Sequence, residues 1–225
     1  MSIREELYGI ADPEYRDFHT KMVPGSFEVL GVKMPVLKEM SKRICKDDWR
    51  SFLEQSVKYH EEQVLNALVI ATAGMTIDER LLLTKKFVPT IGDWGVCDVF
   101  CSMFKAKRTE KKKLWEYCLE LIDTDDEFMM RVSAVMMRYR FLDDEHIEEV
   151  LHLLSVKNHP GYYYKMGAAW TLSACYLIYP ERTENALFSE SLDKEIRNKA
   201  IQKISDSFRV SEDDKEKLKT RKKDL

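Results

Sequence analysis

Apolar residues along this chain recur at three- and four-residue spacing, and no segment keeps the period of two that a half-buried strand needs. Val64, Leu65, Leu68 and Val69 form one such stripe between His60 and Ala73, with Gly74 as its stop. Val36, Leu37, Met40 and Ile44 form another after Pro35. Start signals divide the rest. Asp12-Pro13 opens a helix to about Met22, which Pro24-Gly25 breaks. Asp47 or Asp48 precedes Trp49, Phe52 and Leu53, and Asp93 precedes Trp94. Thr76-x-x-Glu79 and Thr124-x-x-Glu127 read as capping boxes, the second opening FMMRVSAVMMRY. Thr109 starts a helix through Leu114, Trp115, Cys118 and Leu121, and Asp143 caps HIEEVLHLL. The loop VKNHPG leads into YYYKMGAAWTLSACYLIY, apolar nearly all round and therefore central. Leu192 to Phe208 is amphipathic, and Ser211 caps a polar last helix. The pattern predicts an all-α protein. Helices of roughly ten to eighteen residues joined by short turns, polar ones alternating with apolar ones, predict a superhelical stack of antiparallel pairs, an α-solenoid. One domain is expected over residues 1–225, with a polar tail from about 211.

Composition narrows the class. Hydrophobic residues make up 44% of the 225, as in globular proteins. No run has the length of a membrane span, and MSIREELYGI lacks the apolar core of a signal peptide, so a cytoplasmic protein with no membrane partner is expected. Five cysteines, an odd number spread along the chain, fit reduced thiols better than a disulfide framework. The net charge of −3 argues against coating nucleic acid by bulk attraction. The charge is uneven, however. Residues 105–113 and Lys215 to Lys223 are basic while 143–149 are acidic, and a polarised surface attracts phosphate locally.

Candidate chemistry centres on Pro89 to Lys113. Trp94 and Asp98 stand four apart, so a helix stacks them on one face, and Cys101 and Lys105 continue it. Lys105, Lys107, Arg108, Lys111, Lys112 and Lys113 follow, with Glu110 the only acid among them. Arg131 inside MMRVSAVMM and Lys165 inside YYYKMGAAW are cations within apolar helices, which is costly unless they are paired or face a wet cleft. Gly167-Ala168-Ala169 allows close helix approach beside Trp170. The plain alternatives stay open: both tryptophans as core, Asp98 satisfied by a neighbour, and the basic run as a solvated face. No metal motif, serine elbow or glycine-rich phosphate loop is present, and Cys97 and Cys101 read as small core residues, so neither metal nor cofactor is expected.

In order along the chain, PGSFEVLGVKMPVLKEMSKRI, FVPTIGDWGVCD, MMRVSAVMMRYRF, YYYKMGAAWTLSACY and NKAIQKISDSFR resemble the HEAT-repeat DNA alkylation repair family, the AlkD-like alkylpurine DNA glycosylases. The resemblance implies HEAT-like helix pairs and duplex DNA carrying alkylated purines as partner. It implies hydrolysis of the N-glycosidic bond of cationic N3- or N7-alkylpurines by a monomer without a cofactor. It places the catalytic aspartate on Asp98, the active-site tryptophans on Trp94 and Trp170, and the cleft arginine on Arg131, with Arg138 two turns away as the other candidate. Lys165 and the 105–113 cluster would contact phosphates. The family also holds members that bind DNA structures without excision, and a helical-repeat module for protein partners is the reading outside nucleic acids.

Overall fold

The computed structural model describes residues 2–23, 25 and 27–223. Among them lie fourteen α-helices: α1 (Ile3–Gly9), α2 (Pro13–Met22), α3 (Met34–Ile44), α4 (Trp49–Leu53), α5 (His60–Thr72), α6 (Ile77–Phe87), α7 (Trp94–Met103), α8 (Lys111–Ile122), α9 (Glu127–Arg140), α10 (Ile147–Val156), α11 (Tyr162–Ile178), α12 (Pro180–Leu187), α13 (Lys194–Ser205) and α14 (Glu212–Lys223). The only extended pairing among the described residues is an isolated bridge between Glu28 and Tyr59. The fold is all-α, as expected. None of the described helices is long and apolar enough to cross a membrane. The chain divides into two compact units, one ending at Leu114 and the other beginning at Trp115.

In the first unit α5 packs between α3 and α7, with α6 also against it. Its burial is nearly complete and extends to charged side chains. The Glu61 carboxylate, fully buried, accepts N–H groups from Leu30 (2.9 Å), Gly31 (2.8 Å) and Val32 (3.1 Å). Gly31 has φ 95°, and a Cβ there would lie 2.3 Å from the Asp12 carbonyl oxygen, so this turn requires glycine. At the other end of α5, buried Arg80 donates to the carbonyls of Ile70 and Ala73, two of the acceptors a helix end leaves open.

In the second unit α11 lies between α9 and α13, with α10 and α12 also packed on it. The Thr171 hydroxyl donates to the Ala134 carbonyl (2.8 Å), tying α11 to α9. The polar last helix, α14, docks by one buried apolar side chain, Leu218, and by Lys217 and Arg221 at 2.8 and 2.7 Å from Glu184. Much of the basic C-terminal run is therefore answered inside the protein.

Several starts differ from expectation. Thr124 donates to the Leu121 carbonyl and closes α8, while Asp126 caps α9 by accepting Met129 N–H (2.8 Å). The carboxylate of Glu127 turns away to the N–H groups of Tyr163 and Tyr164, capping α11. Lys107, not Thr109, precedes a 3-10 turn (Arg108–Glu110) that leads into α8. Thr76 accepts Glu79 N–H, but the Glu79 carboxylate goes to Arg50 instead of returning to the cap. Helices α1 and α12 were not foreseen, although Ser2 and Glu5 form a capping box and Pro180 opens α12. The expected break after Met22 falls partly outside the described residues, at Pro24. Cys97, Cys101, Cys118 and Cys175 are buried thiols outside any disulfide, and Cys45 is half-exposed.

Candidate nucleic-acid interface

The start of α7 is fixed from below by a chain of buried and half-buried polar groups. Asp93 accepts Val96 N–H (2.9 Å) and places its other oxygen 3.2 Å from His60 Nδ1. The His60 ring meets His19 edge-on at 5.1 Å, and His19 stacks on Tyr15 at 5.2 Å. Burial opposes ionisation of Asp93, but the hydrogen bond from His60 and the N–H groups of Val96 and Gly95 hold its carboxyl below the usual range. Burial, then the nearby His60, pushes His19 down. Gly95 belongs to this arrangement. A Cβ there would sit 3.1 Å from Asp93 Oδ1 and 3.3 Å from Val23 Cγ1.

Above this base, Trp94 is half-buried and its indole N–H donates to the Met22 carbonyl (2.8 Å). The bond fixes the ring and ties the end of α2 to the start of α7. Asp98 is half-buried one turn further along the same face. Cys97 and Cys101 point to the core.

The basic run is more varied than its letters suggest. Lys107, Arg108 and Lys112 are exposed, and Lys113 is exposed with Asp78 at 2.6 Å. Lys105 reaches the Thr72 carbonyl (3.4 Å) and, with Lys38, Lys42 and Lys46, rims a groove of ≈ 820 Å³ floored by Met34, Pro35 and Met103. Glu39, the one acid lining it, pairs with Lys42 (2.6 Å). Lys38, Lys42 and Lys46 were missed in the sequence. Their four-residue spacing on α3 and beyond was the available signal.

In the second unit Arg131 is buried and donates to the Tyr163 carbonyl (2.7 Å). It passes Gly167 so closely that a Cβ there would lie 3.1 Å from Arg131 Cγ. Two turns later Arg138 lies 4.0 Å over the ring of Trp170 and donates to the Trp170 carbonyl (3.3 Å). Tyr139 meets the same ring edge-on at 6.1 Å. One face of Trp170 therefore already holds a cation. Lys165, expected to reach phosphate beside Arg131, is paired with Glu195 (2.9 Å) and Asp193 (3.6 Å), and the bond to Glu195 holds its pKa above the ordinary lysine value. Lys203 of α13 behaves oppositely. Burial, then the charges of Arg131 and Arg138, push it below the lysine range. It stood in the quoted NKAIQKISDSFR stretch without a role.

Comparison with curated proteins finds no match to the chain. A family model described as DNA alkylation repair enzyme matches residues 3–204, from α1 into the last turn of α13 and through every residue named above for the interface. That span, nearly the whole chain, shows that the protein belongs to the DNA alkylation repair enzyme family, and its role is in DNA repair.

Proposed function

We propose that this chain is a monofunctional DNA glycosylase that releases positively charged N3- or N7-alkylpurines from duplex DNA, acting as a monomer without a cofactor. The observation that carries the reading is the Trp94/Asp98 face of α7, an indole fixed by its own hydrogen bond with a carboxylate one turn away. The residue inventory suits the chemistry. A cationic purine leaves with the electron pair of the C1′–N bond and is neutralised by doing so, so no general acid is required. The sugar becomes oxocarbenium-like, as in other glycoside hydrolyses. Asp98 stabilises that charge and orients the water whose oxygen bonds to C1′, the water's proton passing to solvent. Trp94 offers a π face to the cationic lesion. Trp170 carries Arg138 on one face of its ring.

The stack of Arg138 on Trp170 favours a second reading, a DNA-structure binder without excision, because one π face is already engaged. The lysine-rimmed groove weighs against a neutral peptide-binding surface. The test is incubation with duplex containing N7-methylguanine, followed by strand scission at abasic sites and compared with unaided depurination. Wild type should exceed the background, and Asp98→Asn should lower the enzymatic rate by about 10²–10³ while retaining DNA affinity. A wild-type rate equal to background, with DNA still bound, would establish the second reading. Equal rates for wild type and Asp98→Asn would remove Asp98 from the mechanism.

A further inference from the structure

We propose that a pocket beside α5 binds a planar heterocycle with an adenine-type edge, read by the carboxamide of Asn66. The site shares no residue with the Trp94/Asp98 face, so it stands whether or not the chain excises bases.

The pocket follows from the spacing of two helices. Gln63, Asn66 and Ile70 recur at three and four residues and therefore share one face of α5. Leu83, Lys86 and Phe87 share a face of α6 in the same way, and α6 packs against α5. With Leu53 at the end of α4 and Phe27 before α3, these faces frame a cavity of ≈ 260 Å³ within the first unit. Pockets for drug-sized ligands run to about 300–1,000 Å³, so this one suits a single ring system.

Two carboxamides interrupt its largely apolar walls. Gln63 is 1% exposed and donates its side-chain N–H to the Thr90 carbonyl (2.5 Å), while its Oε1 has no hydrogen-bond partner among the described residues. Asn66 is 9% exposed, and among the described residues no protein group hydrogen-bonds its carboxamide. Exposed Asn158 shows the contrast, since its amide donates to Asp193 (3.2 Å) and accepts His159 N–H (2.9 Å). A polar group at the depth of Asn66 is costly without a partner, and a ligand that bonds it removes the cost. A carboxamide holds a donor beside an acceptor, so its complement carries the same pair in reverse. Adenine presents that pair as N7 and N6–H, and asparagine reads both at once. Phe27 and Phe87 add aromatic walls suited to a planar ring. Lys86, exposed at the mouth, is placed to meet a phosphate carried by the ligand. A free nucleotide and an adenine of a single strand share this chemistry.

The test titrates the full chain with adenosine 5′-monophosphate, adenosine and inosine 5′-monophosphate, the last having oxygen in place of the amino group. Heat of binding is followed together with the NMR signals of the Asn66 side-chain amide. Adenosine monophosphate should bind saturably and move those signals. Inosine monophosphate should bind about 5- to 150-fold more weakly, the worth of one bidentate pair. Asn66→Leu, which keeps the volume, should bind the two nucleotides alike. Lys86→Ala, at an exposed position that leaves the fold alone, should weaken adenosine monophosphate and spare adenosine. Should Asn66→Leu fail to fold, the wild-type comparison and Lys86→Ala still decide. No saturable binding, equal binding of the two nucleotides by wild type, or heat without movement of the Asn66 signals would overturn the site. None of these results touches the excision assay, which reads a different face. Displacement of the nucleotide by a short single-stranded oligodeoxyadenylate would support the site and assign it to a strand, and binding without such displacement would assign it to a free nucleotide.

Discussion

At Gly167 the identity of one residue decides where a buried charge can go. The Arg131 side chain passes α11 at this position, and a methyl group would press on its Cγ at 3.1 Å, while Val135 at 3.5 Å would be in ordinary contact. Gly167→Ala is expected to destabilise the protein by about 1–3 kcal/mol, through overpacking, against the small gain an alanine would bring to a helix interior. Chemical denaturation of the pair measures it, and an Ala variant at least as stable as wild type would show that Arg131 can move aside. The glycine was legible in the sequence as a place of close approach, but its partner was not. Helical spacing tells which residues share a face. It does not tell which side chain of a neighbouring helix fills the gap. The same holds for Trp170, read as a π face for a lesion and found with Arg138 lying on it.

Elements were legible where apolar spacing alone defines them. α5, α7, α9 and α11 lie where their stripes predict, because burying one face of a long helix outweighs any single cap. Starts were less legible when two residues could serve. Asp126 and Thr124 both precede α9, and the one whose backbone sits at the true boundary wins. The carboxylates hidden in α5 were not legible at all, since a pattern of polar letters reads as a solvated face. Glu61 instead organises the 30–32 turn. Glu61→Gln keeps the volume but turns an N–H donor toward backbone donors. A loss of about 1–3 kcal/mol is expected, with unfolding of the turn seen by hydrogen exchange at Gly31 and Val32. Unchanged protection there would mean that the turn is held by Gly31 and Asp12 alone.

For the whole molecule, the polar groups beneath α7 set a dependence on acidity. His19 titrates below its ordinary 6.5 in the folded chain, so the unfolded chain takes up the proton first. Its contribution is complete above about pH 6.5 and is lost as pH falls beneath that value. Asp93, held below 3.8, contributes above that pH and loses its contribution as pH falls through its folded value. The melting temperature should therefore be level above neutrality and fall by about 2–4 °C per kcal/mol lost on the way to pH 5, then more steeply in stronger acid. Calorimetry across this range is the check, and a melting temperature that rises between pH 7 and 5 would remove His19 from the account. At this scale the all-α class was readable from periodicity. The distribution of charge was not, because the ion pairs at Lys113, Lys165, Lys217 and Arg221 join residues about thirty or more positions apart.

The buried thiols carry a practical consequence. Cys97 and Cys101 lie inside the first unit, Cys118 and Cys175 inside the second, and burial raises the last to about 12, so all four are shielded from reagent while their units are closed. Alkylation at each site thus becomes a clock for the opening of the unit around it. Pulsing the protein with iodoacetamide and reading each cysteine by mass spectrometry would time the two openings separately within one chain, with DNA present or absent. Half-exposed Cys45 serves as the internal standard.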